Sequence, residues 1–357
     1  MRRAAALAAV AAAAVAAAGL ARGAAQKLTL TLDWTPNPDH VGLYDAQQTG
    51  RFARAGLDVT VRAPSDPTAP LKLVAAGRTD LAVSYEQEVF FAAAQKLPVE
   101  AVAAVVPQPL NSFMSIDPHV RTLRDLRGRT VGITGVPSDY ATLKTAGLAG
   151  KVKVVDVGYS LLPALLAHRV DAVLGVYRNV EGVQLELRGL HPTIIPVDRA
   201  GVPSYDELVL VASKTRLRDA SYRSEVRRFV GAFLAGTADA RAHPARALGI
   251  MEKVTASDPK FLSHAVPATL RLLAGRDGAG CVSVAAWQRF GDWMRAHGLV
   301  KRRIAASSVV TAGFLPKRCG RTARMTPRST ATRAMAAANS FDVPRLEPGS
   351  SVSPRSG

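Results

Sequence analysis

Apolar runs of strand length alternate with amphipathic helical patterns along the first two-thirds of the chain. Helices are predicted at positions such as 40–55, 86–95, 137–148 and 161–168. This alternation is typical of βαβ units, so the sequence predicts an α/β fold with mixed, mostly parallel sheets. The predicted strands lie near residues 28–33, 58–62, 80–85, 99–105, 129–134, 152–157, 170–176, 192–196 and 206–213.

The pattern becomes purely helical after Ser213. Helices are predicted at 219–241, 243–254, 259–274 and 284–297, with Ser221, Asp258 and Ser283 as start signals. Residues 317–357 lose periodicity and are rich in Arg, Ser, Thr and Pro, which predicts a disordered basic tail.

The arrangement of these elements predicts two lobes. The first lobe would hold residues 26–112 and 210–316, and the second lobe would be the intervening segment, 113–209. The chain would cross between the lobes near residues 111–116 and again near 205–208. Two crossings make a hinge, and closure of a hinge around a ligand is the usual motion of periplasmic binding proteins.

Residues 1–25 have the layout of a cleavable secretory signal. Arg2 and Arg3 precede an alanine-rich run to Leu20, and small residues follow before Gln26. A retained membrane anchor is the weaker alternative, because the run is short and alanine is barely hydrophobic enough to span a bilayer. No cysteine directly follows the run, so the expected product is a free periplasmic or secreted protein and not a lipoprotein.

The cysteine count and the charge exclude other classes of protein. Cys281 and Cys319 are too few for a disulfide framework, and a bridge between them is not expected because Cys319 falls in the predicted tail. The net charge of +18 is dispersed: the signal contributes +3, residues 317–357 contribute +6, and the body carries +9 without a basic stripe containing aromatic residues. Nucleic acid is therefore not an expected partner.

The connection after the first strand, DWTPNPDH at 33–40, is dense in large and polar groups. Two prolines flank Asn37 and would hold its amide in place, free to bind a ligand. Asp39 is a natural N-cap for a helix starting at His40, and His40 is either a donor in the cleft or a solvated first-turn residue. Trp34 ends the strand, so it either contacts a ligand or joins the core.

A short motif occurs twice. Residues 78–85 read RTDLAVSY and residues 169–177 read RVDAVLGVY, so an Arg-x-Asp leads each apolar strand to a tyrosine. Ligands sit beyond the carboxyl ends of strands in open α/β sheets, which would aim Tyr85 and Tyr177 at one crevice. The alternative is coincidence between two strands of high propensity.

A crevice of this kind suits a flat, uncharged or weakly charged ring. Trp34 and the two tyrosines would supply stacking area, and a few polar groups would orient the ring. Glu181 would accept hydrogen bonds from an exocyclic amine, or it is simply an acid in the first turn of a helix. Asn111 and Asn179 would satisfy ring nitrogens.

Other motifs are weak. Gly132 and Gly135 lie between a strand and a helix, where backbone amides can hold an anion, but the P-loop spacing is missing and a tight turn explains them as well. The sequence shows no Gly-x-Ser-x-Gly or His-Glu-x-x-His motif, and the seven histidines lack metal-ligand spacing. No catalytic residue, metal or cofactor is expected.

These residues resemble a known family, the substrate-binding proteins of ABC importers for thiamine pyrimidine precursors (the SsuA/THI-five-like group). The likeness spans roughly residues 28–316. It is carried by LDWTPNPDHVGLY (32–44), PSDPTAPLKLVAAGRTDLAVSYEQEV (64–89), PLNS (109–112), VGYSLLPALLAHRVDAVLGVYRNVEGVQLEL (157–187), VPSYDELVLVAS (202–213), WQRFGDWMRAHGL (287–299) and TAGFLP (311–316).

The resemblance implies a two-lobed type II binding-protein fold without catalysis. It also implies a monomer that delivers a small aminopyrimidine, of the formylaminopyrimidine or hydroxymethylpyrimidine type, to a membrane permease with a cytoplasmic ATPase. By the resemblance, the ligand site falls on Trp34, Asn37, His40, Tyr85, Asn111, Gly135, Tyr140, Tyr177, Asn179 and Glu181.

The family also contains enzymes that make the pyrimidine phosphate with iron and a cysteine-rich loop, which this chain lacks. Related binding proteins carry riboflavin, taurine or other sulfonates, so the resemblance leaves the ligand open among these classes. Pro38-Asp39 and Tyr177-Arg178 stand where relatives often carry other residues.

Overall fold

The computed structural model describes residues 25–66, 69–275 and 278–320. In this part of the chain the apolar runs form ten strands, one more than predicted. They are β1 (Gln26–Thr31), β2 (Leu57–Arg62), β3 (Leu81–Ser84), β4 (Val99–Val106), β5 (Asn111–Ser115), β6 (Thr130–Ile133), β7 (Lys153–Asp156), β8 (Ala172–Tyr177), β9 (Thr193–Pro196) and β10 (Leu208–Ser213).

Eleven α-helices accompany these strands in the described residues. They are α1 (Val41–Gln48), α2 (Arg51–Arg54), α3 (Pro70–Ala75), α4 (Glu86–Ala94), α5 (Pro137–Thr145), α6 (Leu161–Leu166), α7 (Glu181–Glu186), α8 (Ala220–Ala242), α9 (Pro244–Val254), α10 (Pro259–Leu272) and α11 (Val284–Ala296). None of them is both long and apolar enough to cross a bilayer.

The strands form two five-stranded sheets. The first has the order β2-β1-β3-β10-β4 and the second has the order β7-β6-β8-β5-β9. In each sheet two pairings are parallel and two are antiparallel. The antiparallel strands are β10 and β5, and each is the first strand after the chain passes from one sheet to the other.

The passages between the sheets form the predicted hinge region. The first passage is residues 107–110, between β4 and β5, and the second is residues 197–207, between β9 and β10. The prediction that residues 111–116 form the first crossing is wrong, because Asn111–Ser115 pairs with both β8 and β9. This segment was missed because it is short and lies close to the strand before it.

The repeated motif has the same structural role in both sheets. Asp80 precedes β3, and its carboxylate accepts a hydrogen bond from the Thr29 amide of β1 at 2.8 Å. Asp171 precedes β8, and its carboxylate accepts from the Thr130 amide of β6 at 2.7 Å. Each aspartate thus fixes the start of its strand beside a parallel neighbour, which makes coincidence an inadequate explanation of the motif.

The first sheet is buried on both faces, as β10 shows. Leu208, Leu210 and Ala212 point to one core, which holds aromatic side chains of α8. Val209 and Val211 point to a second core, which holds side chains of α4 and α11 and continues into the second sheet. A strand buried on both faces is hydrophobic throughout, which explains why LVLVA was recognisable in the sequence.

The helices after β10 match the predicted pattern closely. Asp258 and Ser283 cap α10 and α11, as predicted, by accepting hydrogen bonds from Phe261 N and Ala286 N. The cap of α8 is Asp219, whose carboxylate accepts from the Tyr222 amide, and not the predicted Ser221. Aspartate and serine are equally good caps, so the two candidates could not be separated by type.

The two cysteines form a disulfide, which corrects the sequence-based expectation. Cys281 and Cys319 are bonded, with Cα atoms 5.2 Å apart, and no free cysteine remains. The predicted tail therefore starts too early, since Lys317–Gly320 forms a short 3-10 helix that carries Cys319. Apart from these residues and Ala25, the predicted tail and signal lie outside the described residues.

We expect this disulfide to stabilise the fold substantially. It closes a loop with a sequence separation of 38 residues, and bridges of this span typically contribute about 2–4 kcal/mol by restricting the unfolded chain. Replacing both Cys281 and Cys319 with serine should lower the free energy of unfolding by that amount in urea titrations.

Dithiothreitol supplies the control for this prediction. It should destabilise the wild-type protein to a similar extent and leave the double variant unchanged. Equal stability of the oxidised protein and the double variant would contradict the prediction.

Candidate ligand-binding site

A buried aspartate directly after β1 organises the first part of the site. The Asp33 carboxylate accepts from the Tyr85 hydroxyl at 3.0 Å and lies 2.8 Å from His40 Nε2. His40 Nδ1 faces the Asn37 backbone N–H at 3.3 Å and accepts from it, so Nε2 carries the proton and donates to Asp33. His40 is fully buried, which excludes the solvated alternative.

Asn37 has a local role. Its side-chain oxygen accepts from the Asp39 amide at 2.9 Å and caps the 3-10 helix Pro38–His40, while its Nδ2 donates to Thr35 O at 3.1 Å. The prediction that Asp39 is the cap is wrong, and the Asn37 amide is not held free for a ligand. Proline at the first helical position favours a cap on the preceding residue, which is Asn37.

Asp39 is buried and bonded to the other half of the chain. Asn179 Nδ2 donates to Asp39 Oδ1 at 2.6 Å and to Thr269 Oγ1 of α10 at 2.8 Å. Burial raises the pKa of Asp39 to about 7, against the lowering effects of His40 and Asn179. The Asn179 amide, predicted to bind ring nitrogens, thus connects the end of β8 to the first lobe, with its Oδ1 buried and unpaired.

Glu207, which the sequence analysis did not select, organises the second part of the site. Its Oε2 accepts from the amides of Leu110 at 2.7 Å and Asn111 at 3.1 Å. The hydroxyls of Tyr177 and Tyr205 donate to the same carboxylate at 3.0 and 3.2 Å. Burial raises the pKa of Glu207, and these four donors act in the opposite direction.

One carboxylate therefore contacts both passages between the lobes and a predicted ligand-binding tyrosine. We call the first set of contacts, among Tyr85, Asp33, His40, Asn37, Asp39 and Asn179, the Asp33 network. We call the second set, among Glu207, Leu110, Asn111, Tyr177 and Tyr205, the Glu207 network. An acid directly before a fully buried strand, as in YDELVLV, was the available signal for Glu207.

The two predicted tyrosines pack against the same hydrophobic core although they stand at the ends of strands in different sheets. Burial raises the pKa of both hydroxyls well above the usual value, and Tyr85 contributes to the shift at Tyr177. Each hydroxyl donates to a buried carboxylate, so its orientation is fixed.

Glu181 and Asn111 are engaged with β8. The Glu181 carboxylate, in the first turn of α7, accepts from the Tyr177 amide at 2.7 Å, and burial raises its pKa. The Asn111 side-chain oxygen accepts from the Gly175 amide at 3.2 Å. Both contacts shape the end of β8 that carries Tyr177, and the first-turn interpretation of Glu181 agrees with this geometry.

Trp34 lies outside the core, with 46% of its surface exposed. Its ring contacts Tyr159, in the connection between β7 and α6, with centroids 6.5 Å apart and planes tilted by 34°. Trp34 follows a strand of the first sheet and Tyr159 follows a strand of the second, so the pair spans the two lobes. Tyr159 was not selected from the sequence.

Gly135 and Tyr140 line a cavity between the lobes. The cavity has a volume of about 480 Å³ and is also lined by residues of α4, α5 and the turn after α11, including Phe91, Lys144 and His297. Gly135 has φ +83°, and a Cβ there would meet the Asp156 carboxylate at 2.2 Å. Amides of this turn donate to Asp139, which supports the tight-turn explanation over an anion site.

No group of three or more His, Cys, Asp and Glu side chains that could hold a metal ion occurs among the described residues. The strand ends of both sheets carry aromatic side chains, and buried carboxylates fix the hydroxyls of Tyr85 and Tyr177. Aromatic side chains can stack on a small planar molecule.

Comparisons with known proteins identify the family of this chain. The sequence model described as NMT1/THI5 like matches residues 37–247. A putative thiamine biosynthesis protein of Haemophilus influenzae is 34% identical over 290 residues, covering 79% of this chain and 90% of that protein. A formylaminopyrimidine-binding protein of Halalkalibacterium halodurans is 32% identical over 302 residues, covering 81% and 91%.

More distant relatives are named for other activities. The riboflavin-binding protein RibY of Chloroflexus aurantiacus is 27% identical over 324 residues, covering 83% of this chain and 88% of that protein. A 4-amino-5-hydroxymethyl-2-methylpyrimidine phosphate synthase of Uromyces fabae is 25% identical over 170 residues, only 46% of this chain and 49% of that protein.

Solved structures show the fold. The alkanesulfonate-binding protein SsuA from Xanthomonas axonopodis pv. citri, bound to MOPS, has a TM-score of 0.60 at 16% identity, covering 80% of this chain and 98% of that chain. The sulphonate-binding SsuA from Escherichia coli has a TM-score of 0.62 at 14% identity, covering 79% and 96%. The predicted periplasmic binding protein fold is confirmed, and the sequence matches show that this chain belongs to the NMT1/THI5-like family.

Proposed function

We propose that this protein is the solute-binding component of an ABC importer and that it captures a thiamine precursor pyrimidine of the formylaminopyrimidine or hydroxymethylpyrimidine type. The observation that carries the proposal is the pair of tyrosines, Tyr85 and Tyr177, which stand at strand ends of different sheets and pack against one core. The hydroxyl of each is bonded to a buried carboxylate. The relative named as a formylaminopyrimidine-binding protein, aligned over 91% of its length, supports the same ligand class.

The geometry suits a small aromatic guest. The hydroxyls of Tyr85 and Tyr177 are bonded to Asp33 and Glu207, so the rings are held in fixed orientations before a ligand arrives. Preorganised aromatic faces lose little conformational entropy on binding, which favours stacking with a planar ring. We propose that Trp34 covers one face of the ring, that Tyr85 and Tyr177 contact the ring at its edge, and that Glu181 accepts from the exocyclic amine of the pyrimidine.

The remaining parts of the proposal concern location and partners. We propose that the protein acts outside the cytoplasm as a monomer and delivers its ligand to a membrane permease driven by a cytoplasmic ATPase. The disulfide between Cys281 and Cys319 supports this location, because disulfides persist in oxidising compartments. Both cysteines of the sequence are used in that bond, so neither supplies a thiolate, and the proposal includes no catalytic step.

Riboflavin is a second candidate ligand. It is favoured by the match to the riboflavin-binding protein, which extends over 83% of this chain. Its isoalloxazine ring would use the same stacking faces over a greater length. Parallel calorimetric titrations with 4-amino-5-hydroxymethyl-2-methylpyrimidine, formylaminopyrimidine and riboflavin separate the two proposals by their dissociation constants.

Tryptophan fluorescence tests the proposed site directly. Trp287 is 1% exposed and Trp293 lies stacked on Phe290, whereas Trp34 is 46% exposed. We expect the pyrimidine to quench the intrinsic emission, and Trp34→Ala to remove the response and weaken binding by about 1–2 kcal/mol through lost stacking.

Trp293→Phe is the matched control and should keep the fluorescence response. A wild-type protein that binds neither pyrimidine would sink the ligand assignment. Mass spectrometry tests for an enzymatic role. If it detects conversion of the bound pyrimidine into a new product, the proposed transport role is wrong.

A further inference from the structure

Several large aromatic and aliphatic side chains are exposed in the part of the chain that the structure describes. Trp34, Val136, Tyr140 and Tyr159 have exposures of 46%, 40%, 51% and 85%. They follow β1, β6 and β7, so they stand at the carboxyl ends of strands from both sheets. Large apolar groups held in water at the place where α/β proteins bind ligands indicate a binding surface.

Within this group Trp34 and Tyr159 form a pair across the lobes. Their centroids are 6.5 Å apart and their planes are tilted by 34°. Trp34 belongs to the first lobe and Tyr159 to the second, so hinge motion changes the distance between the rings. The pair is therefore a direct measure of how far the cleft is open.

The backbone of the Tyr159 connection is fixed although its side chain is exposed. The Gly158 amide donates to Asp156 Oδ1 at 2.9 Å, and the Ser160 amide donates to Val157 O at 3.1 Å. Gly158 has φ +55°, a conformation that glycine adopts easily. Two local hydrogen bonds and a glycine thus present Tyr159 toward Trp34.

We propose that Trp34 and Tyr159 hold the planar ring of the ligand between them, so that Tyr159 is a binding residue contributed by the second lobe. A flat ring stacked between two others needs roughly 7 Å between the outer planes, since carbon atoms pack at about 3.5 Å. The ring centroids are 6.5 Å apart and the planes are tilted by 34°, so the cleft must open and the rings must become parallel to admit a guest. This inference rests on the proposed function.

The proposal assigns Tyr159 to a small ring and not to the permease. An exposed aromatic that only docked on a membrane protein would need no partner from the opposite lobe. Tyr159 has one, and that partner is the tryptophan which the sequence places at the end of β1. The two rings share one guest, so their contributions to affinity are coupled.

Calorimetric titration with 4-amino-5-hydroxymethyl-2-methylpyrimidine and formylaminopyrimidine as probes tests this assignment. Tyr159→Leu keeps apolar bulk but removes the aromatic face, and we expect about 5- to 10-fold weaker binding from the loss of one stacking contact. Tyr159→Phe keeps the face and should bind within about twofold of wild type. Because Tyr159 is 85% exposed, neither variant should unfold at lower urea.

A double variant shows whether the two rings act on the same guest. With Trp34→Leu and Tyr159→Leu combined, the loss of affinity should differ from the product of the single losses by more than about twofold, because residues in one contact network are not additive. If the loss of affinity in the double variant equals the product of the two single losses, the rings do not share one guest and the proposal is wrong.

The failures of the two proposals are distinguishable. If the wild-type protein binds neither probe, the proposed function fails and this inference falls with it. If the wild type binds and Tyr159→Leu binds equally well, the pair is wrong and the proposed function stands. Loss of transport in cells with unchanged probe affinity would assign Tyr159 to permease docking and overturn the inference.

Discussion

Replacing Glu207 with alanine should lower the free energy of unfolding by about 4 kcal/mol, because each buried donor left without a partner costs about 1–3 kcal/mol. Two backbone amides and two tyrosine hydroxyls would lose their shared acceptor. Part of this loss is offset, since burial raises the pKa of Glu207 and the variant no longer buries a carboxyl group. Urea unfolding at neutral pH measures the difference.

Glu207→Gln is the matched variant. Its single carbonyl oxygen can still accept from Leu110, Asn111 and Tyr205, which all donate to Oε2. Only Tyr177, which donates to Oε1, loses its acceptor, and a cost of about 1–2 kcal/mol is expected. Tyr205→Phe removes one donor and should cost about 1 kcal/mol. A Glu207→Ala protein as stable as Glu207→Gln would show that the backbone amides of the hinge do not depend on this carboxylate.

The ligand affinity of Glu207→Gln separates the two roles of the network. The variant retains the hinge amides but releases the Tyr177 ring from its fixed orientation. We therefore expect weaker binding of the pyrimidine, with a smaller loss of stability than Glu207→Ala shows. Equal affinity would mean that Tyr177 does not need the carboxylate for its placement.

Asp39 should make the protein less stable as the pH rises from about 4 to about 7. Burial raises its pKa in the folded protein to about 7, whereas an unfolded aspartate titrates near 3.9. Between these two pKa values only the folded state binds the proton. The stabilisation is complete below the unfolded pKa, decreases as the pH rises, and is lost above the folded pKa. The whole change corresponds to about 4 kcal/mol.

Asp39→Asn isolates this contribution. The amide cannot ionise and its oxygen can still accept from Asn179, so the stability of the variant relative to wild type should increase by about 4 kcal/mol between pH 4 and pH 8. Asp58→Asn on the exposed side of β2 is the control for the loss of one carboxylate. A constant difference between Asp39→Asn and wild type across this range would refute the buried, protonated carboxyl group.

The fold was predictable because its strands are buried on two faces or alternate cleanly. Nine strands and the four helices after β10 follow directly from hydrophobic runs and caps. The one strand that was not found is β5 (Asn111–Ser115), because five residues next to a turn carry too little hydrophobic pattern. Its pairing with β8 and β9 is determined by the rest of the sheet, and a single segment does not contain that information.

The positions of the predicted aromatic residues at strand ends could be read from the sequence, but their contacts could not. Trp34, Tyr85 and Tyr177 stand at strand ends, as the motifs indicated. The partners of these side chains could not be read from the sequence, because Asp33, Glu207 and Tyr159 reach them from distant positions. Asn37 and Asn179 were expected to face a ligand, yet tertiary contacts use their amides to hold the loops in place.

The disulfide illustrates the same limit. Cys319 lies near the start of the segment without periodicity, so local sequence patterns placed it in the tail. A covalent bond to the turn before α11 overrides local propensity, and only the three-dimensional proximity of Cys281 reveals it.

The register between β4 and β10 has a consequence for how the molecule can be divided. Val106 pairs directly with Leu208 in an antiparallel ladder, so the two ends of the intervening segment meet as the ends of a hairpin do. The whole second sheet is thus an insertion at the tip of that hairpin. A gene in which codons 107–207 are replaced by a two-residue Asn-Gly turn should encode an uninterrupted first sheet, since such turns favour hairpins. The excised segment carries every strand of the second sheet.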